Sequence, residues 1–205
     1  MERGDPFQAV RELERELCAY TGAPYAVCTN SCTMALLLAC SYLKARRGYS
    51  PMLQIPKRTY IGVPMSIALA RCALAFRDEA WEGQYPLKEL PANVDDPVEI
   101  WDAARRFTYG MFDVGGLEAR EAFKFQCVSF HVSKILAHSQ GGSILHNCPQ
   151  ADAWLRRARF DGRTEGLAPA DDTFDMLGWH CYMSPDVAAA LRWKLSVLPE
   201  RNPDL

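Results

Sequence analysis

The feature that most constrains this chain is a short extended run that turns at once into an apolar helix. Tyr25-Ala26-Val27-Cys28 reads as a strand, Asn30-Ser31-Cys32-Thr33 as its turn, and Met34-Ala35-Leu36-Leu37-Leu38 as the start of the helix. The apolar run Met34 to Leu43 is far too short to span a bilayer and contains Cys40, Ser41 and Tyr42, so it reads as a buried helix. A strand, a small polar turn and a buried helix open an α/β layer fold. The unit then recurs, with Met52 to Ile55 as strand, Pro56-Lys57-Arg58-Thr59 as turn, and Tyr60 to Ala70 as helix. Cys72 to Phe76 is the next strand and ends at Arg77-Asp78.

The rest of the chain fits the same plan. Pro6 to Tyr20 is an amphipathic helix with Phe7, Val10, Leu13 and Leu17 on one face and Arg11, Glu12, Glu14 and Arg15 elsewhere. Thr21-Gly22-Ala23-Pro24 breaks it. Residues 79–97 are polar and contain proline, and read as loop. Val98 to Trp101 is a strand ending in Asp102, Phe125 to Phe130 a central strand, and Gly142 to His146 another. Residues 149–160 and 184–198 have helical patterns, with a loop at Ala168 to Asp172. The expected fold is α/β, a mostly parallel mixed sheet between helices, in one domain over residues 1–205. Ligands of open α/β sheets bind off the carboxyl ends of the strands. Ser31, Thr33, Thr59, Tyr60, Asp102, Ser129 and Lys134 all fall at such ends, so one pocket should collect them.

A net charge of −2 gives no global basic field for nucleic acid or an anionic membrane. Met1 to Asp5 lacks the layout of a signal peptide. The eight cysteines form no CxxC pair and several sit in apolar runs, so the expectation is a reduced, cytoplasmic protein without a disulfide framework.

Six motifs occur in order. They are Leu13 to Val27; Asn30-Ser31-Cys32-Thr33-Met34-Ala35-Leu36; Pro56 to Tyr60; Trp101-Asp102-Ala103-Ala104; Ser129-Phe130-His131-Val132-Ser133-Lys134 with Gly141-Gly142; and Leu177 to Ser184 with Ala188-Ala189. Together they resemble the DegT/DnrJ/EryC1/StrS aminotransferases, pyridoxal-phosphate enzymes of fold type I best known for amino-sugar synthesis. The resemblance implies pyridoxal 5'-phosphate, with Lys134 holding it as a Schiff base and then serving as proton-transfer base. Asp102 then matches the carboxylate that keeps the pyridine nitrogen protonated, which makes the ring an electron sink. Ser31, Cys32 and Thr33 ahead of the helix, with Ser129, match the phosphate site, since a helix start offers N–H groups and a favourable dipole. Tyr60 matches the aromatic stacked on the ring. Cys32 at a helix start can have a lowered pKa, although small-residue packing explains it as well.

The chain also departs from the family. Arg105 stands where the family has glutamine, and would alter cofactor electronics or bind a substrate anion. His180 stands where the family has the asparagine that reaches the neighbouring subunit's phosphate. No counterpart of the family's additional strand is legible in residues 90–97, and the family's C-terminal small domain is expected to be absent. The resemblance implies a homodimer with shared active sites, a small-molecule amine or amino-acid substrate, no membrane, and transamination as the default reaction. The alternatives are a decarboxylase or lyase acting on an amino-acid adduct of a bulky substrate, such as a modified nucleotide or DNA base, and a non-catalytic relative of the fold. Apolar residues Val187, Leu191, Trp193, Leu195 and Leu198 are expected to leave an exposed interface patch.

Overall fold

The computed structural model of the chain describes residue 5 and residues 7–93, 95–113 and 122–205; Met1 to Gly4 and Pro6, included in the sequence expectations above, lie outside them. In chain order the elements are α1 (Gln8–Thr21), β1 (Tyr25–Thr29), α2 (Cys32–Arg47), β2 (Met52–Pro56), α3 (Gly62–Leu69), β3 (Ala73–Arg77) and β4 (Tyr85–Leu90). They continue with β5 (Val98–Asp102), β6 (Phe123–Ser129), β7 (Gly142–His146), α4 (Pro149–Ala158) and α5 (Pro185–Ser196). The seven strands form one sheet in the order β1-β7-β6-β5-β4-β2-β3.

Helices cover both faces. Strand side chains alternate sides, so Val27, Phe125, Cys127 and Ile144 face α2, α3 and α4, where Leu38, Ile67 and Leu155 complete that core. Ala26, Cys28, Val128 and Leu145 face the other way, against Leu13 and Leu17 of α1 and Leu191 of α5. Leu191 and Leu195 are therefore buried, and only part of the expected C-terminal patch, Trp193 with its neighbour Val197, is strongly exposed. Glu14, expected away from the core, is buried too.

Five strands run one way, as a mostly parallel sheet requires. The two reversed strands, β4 and β7, make every pairing they enter antiparallel, so only β2–β3 and β5–β6 are parallel neighbours. β4 corrects the sequence reading, which left residues 79–97 as loop. Tyr85 and Leu87 alternate inward as a strand requires, but Pro86 and Pro91 disguise the pattern. The sheet tolerates Pro86 where it stands, because β2 pairs only with Lys88 to Leu90. All eight cysteines are free thiols. Among the described residues no helix is long and apolar enough to cross a membrane.

Candidate functional site

A cavity of about 400 Å³ opens at the carboxyl ends of β1, β5 and β6. Ser31, Cys32, Thr33, Tyr60, Asp102, Ser129 and Lys134 all line it. The sheet register explains the convergence. Gly142 at the head of β7 lies opposite both Thr29 of β1 and Ser129 of β6, and Asp102 of β5 pairs with Cys127 of β6. A Cβ on Gly142 would stand 2.4 Å from the Cys32 nitrogen. Only glycine there lets the first turn of α2 rest on the sheet.

That first turn is built to receive an anion. Ser31 caps α2 in an extended conformation, its Oγ accepting from the Met34 N–H at 3.2 Å. The N–H groups of Cys32 and Thr33 have no acceptor within the helix. With the dipole of a 16-residue helix behind them, they favour negative charge. The hydroxyls of Thr33 and Ser129 join them at the cavity wall. Cys32 is a packing residue: burial pushes its thiol well above the ordinary value, Asp102 adds to this, and Lys134 only partly opposes it.

Asp102 ends β5 almost wholly out of water. Its Oδ2 accepts from the Tyr85 hydroxyl at 2.8 Å and its Oδ1 from the Ala104 N–H at 2.9 Å. Burial raises its pKa above the ordinary value, and the two donors and the charge of Lys134 offset only part of that rise. Lys134 sits in the turn after β6, its backbone N–H held by the His131 carbonyl at 2.8 Å. Its side chain is half-buried. Tyr60, 72% exposed, forms the rim. Gly62 makes room for its ring, since a Cβ there would stand 2.8 Å from the ring and 3.0 Å from the Thr33 hydroxyl.

Three expected residues stand outside the cavity. The Arg105 guanidinium lies over the Trp81 ring, 5.4 Å from its centre. His180 is exposed, with Nδ1 2.8 Å from Asp161 Oδ2 and its ring against Tyr182. Thr59 is close by but bonds to the Tyr85 hydroxyl instead of lining the cavity. Sequence reasoning missed Tyr85, whose only signal was the Tyr-x-Leu alternation of β4. It also assigned no role to His131, Ser133 and Gln140, which line the cavity. A larger groove of about 930 Å³ lies between α1 and α4, but its Arg156 and Arg157 are already paired with Glu14, Asp152 and Asp175.

The arrangement offers an anion seat, a buried carboxylate facing a space for a cation, and a primary amine beside them. The layered sheet carrying that cavity has the fold of solved aminotransferases. Residues 5–76, from before α1 into β3, match the model of the DegT/DnrJ/EryC1/StrS aminotransferase family. No curated protein matches by sequence.

Among similar solved structures is DesV of S. venezuelae in complex with a ketimine intermediate, with a TM-score of 0.68 and 19% identity over 93% of this chain and 57% of that one. A DegT DnrJ EryC1 StrS aminotransferase from Brucella abortus gives 0.67 and 20% over 93% of this chain and 59% of the other. NtdA from Bacillus subtilis, with bound cofactor PMP, gives 0.71 and 12% over 93% and 48%. The chain thus spans less than two thirds of the length of each of these structures.

Proposed function

We propose that this chain is a pyridoxal-phosphate enzyme that acts at an amine-bearing carbon, with transamination as its reaction. The observation that carries the reading is that Lys134, Asp102 and the α2 anion seat line one cavity. The donor set fits the cofactor. The N–H groups of Cys32 and Thr33, with the hydroxyls of Ser31, Thr33 and Ser129, would hold its phosphate. Asp102 would face its ring nitrogen, Tyr60 would cover the ring, and Lys134 would hold it covalently. When bound, the cofactor supplies an electron sink for negative charge on the carbon beside the substrate nitrogen.

The protein's own groups do the rest. Asp102 would hold a proton at the ring nitrogen. Lys134 is the base of the site: its Nζ would take a proton from the amine-bearing carbon of the substrate and return one later. The first turn of α2 fixes the orientation, so that the carbon stays within reach of Nζ. The chain corresponds to a large domain, and a homodimer with shared sites would complete its cavity. His180 stands outside its own cavity on a segment tied to the end of β1 through the Asn30 N–H and the Cys181 carbonyl, 2.8 Å. From there it is available to the phosphate end of a second copy's site.

The exposed rim at Tyr60 leaves room for a bulky substrate such as a modified nucleotide, and with it a second reading, decarboxylation of an amino-acid adduct that such a substrate carries. Reconstitution with pyridoxal phosphate tests both. A visible absorbance band fixed by borohydride onto Lys134 is expected, and its absence refutes the cofactor assignment. Conversion of that band to the amine form of the cofactor by glutamate marks transamination, whereas release of carbon dioxide marks the second reading. Mixing His180→Ala with Lys134→Ala chains tests the shared site. One site of a mixed dimer would carry both defects and the other neither, so activity should partly return.

A further inference from the structure

Tyr85 stands directly opposite Asp102 in the antiparallel pairing of β4 with β5. Facing residues of such a pair project to the same side of the sheet, so the reversed strand brings a phenol to the carboxyl end of β5. The ring is 2% exposed and meets Trp81 edge-on at 4.7 Å. The Trp81 indole donates to the Arg58 carbonyl at 2.7 Å, in the same turn that carries Thr59 and Tyr60. The Tyr85 hydroxyl donates to Asp102 Oδ2, and the Thr59 hydroxyl bonds to its oxygen from the other side. With its single proton on Asp102, Tyr85 accepts from Thr59.

The titratable groups around Asp102 come from four elements. They are the Tyr85 hydroxyl from β4, the neutral thiols of Cys32 from α2 and Cys127 from β6, and the Lys134 charge from the turn after β6. The Ala104 N–H, two residues on, is the main-chain donor. Among the described residues, Tyr85 is therefore the one side chain that donates a hydrogen bond to this carboxylate. A phenol suits the place. It stabilises a buried anion without bringing a positive charge of its own, whereas lysine or arginine would satisfy the carboxylate and compete with a cationic ligand. Burial and Asp102 hold the phenol itself protonated.

We propose that Tyr85 is a positioning residue, oriented by Thr59, that keeps Asp102 ionised and aimed at the cofactor ring nitrogen. The part concerning the ring nitrogen rests on the pyridoxal-phosphate reading of the site; the part concerning Asp102 stands without it. Tyr85→Phe keeps the ring and removes only the hydroxyl. In the cofactor-free chain, the Asp102 carboxyl, followed by carbon-13 NMR, should titrate at higher pH in Tyr85→Phe. In the loaded chain, nitrogen-15 in the cofactor ring should report a smaller protonated fraction, with kcat lowered about 10- to 100-fold, the worth of one hydrogen bond to a charged group, and KM nearly unchanged.

Thr59→Val should move both signals the same way by less, and Thr59→Ser should restore them. An unmoved Asp102 titration in Tyr85→Phe overturns the proposal, even if kcat falls. If Tyr85→Phe does not fold, Thr59→Val decides by the same two signals, and no movement there overturns it equally. Should the chain bind no pyridoxal phosphate, the cofactor reading falls while the carboxyl titration still decides the role of Tyr85 toward Asp102.

Discussion

Glu14 on α1 and Asp102 on β5 are carboxylates taken almost fully out of water, 4% and 5% exposed, and the surrounding fold treats them in opposite ways. Glu14 accepts from the Cys28 N–H at 2.8 Å and from Arg156 at 2.7 Å, and it is also bonded by the buried Arg159. Burial alone would raise its pKa, but the two guanidinium groups more than reverse this, and the carboxyl lies below its ordinary value. Asp102 receives two neutral donors, and Lys134 acts on it only through space, so burial wins and its pKa stands raised. One region neutralises its charge internally and locks α1, β1 and α4 together. The other leaves its carboxylate without a cationic hydrogen-bond partner. A buried carboxylate is thus recognised as structural or functional by what answers it, not by its burial.

The sharpest test of the functional side is Lys134→Ala, which should abolish turnover and the borohydride-fixed adduct together. An adduct found by mass spectrometry on another lysine would move the site elsewhere. Next, Asp102→Ala should retain some cofactor but slow the reaction by about three powers of ten, roughly 4 kcal/mol of barrier. Near-normal steady-state rates would put Asp102 on the same footing as Glu14 and erase the contrast.

On the structural side, Glu14→Ala leaves the buried Arg159 with Glu165 as its carboxylate partner and should lower stability by about 3 kcal/mol in urea unfolding. Cofactor bound per folded molecule should stay constant; a loss below about 1 kcal/mol would mean the network is ornamental. The smallest effect concerns pH in the cofactor-free chain. Glu14, with its lowered pKa, contributes stability that is full above its ordinary value and disappears as pH falls through the folded one. Asp102, with its raised pKa, binds its proton more tightly when folded, so its contribution declines as pH rises from the ordinary to the folded value. Glu14→Gln should therefore flatten the loss of stability on acidification, and Asp102→Asn the decline that sets in as pH rises above the ordinary aspartate value. Parallel changes in both variants would contradict the opposite signs.

Much of this was legible in the residues. Short apolar strands running into Ser31-Cys32-Thr33, Asp102 and Ser129 announce themselves, because ligands of open α/β sheets bind off the carboxyl ends of the strands. β4 stayed hidden because two prolines cover a signal of only two inward residues, and Tyr85 was hidden with it. Glu14 shares a helix face with Val10 and Leu17, yet its charge masked that spacing, and its partner Arg159 lies 145 positions away. Arg105 follows Ala104 directly after the strand end. Where its guanidinium goes is decided by Trp81, a contact that no local pattern encodes.

The insertion of β7 between β1 and β6 has a consequence for synthesis on the ribosome. Among the described residues β1 has β7 as its ladder neighbour, and Cys28 meets Ser143 across 115 positions of chain. During translation β1 and the apolar α2 emerge long before the strand that will complete them, and pairings so distant in sequence form slowly. The start of α2 rests on Gly142, so the Ser31 to Thr33 seat has no floor until that glycine has left the exit tunnel. A nascent chain halted earlier offers an unpaired strand and a bare helix, the kind of surface that holding chaperones bind. The Ser31 to Thr33 turn would therefore take its final shape late in translation, with the arrival of one short strand.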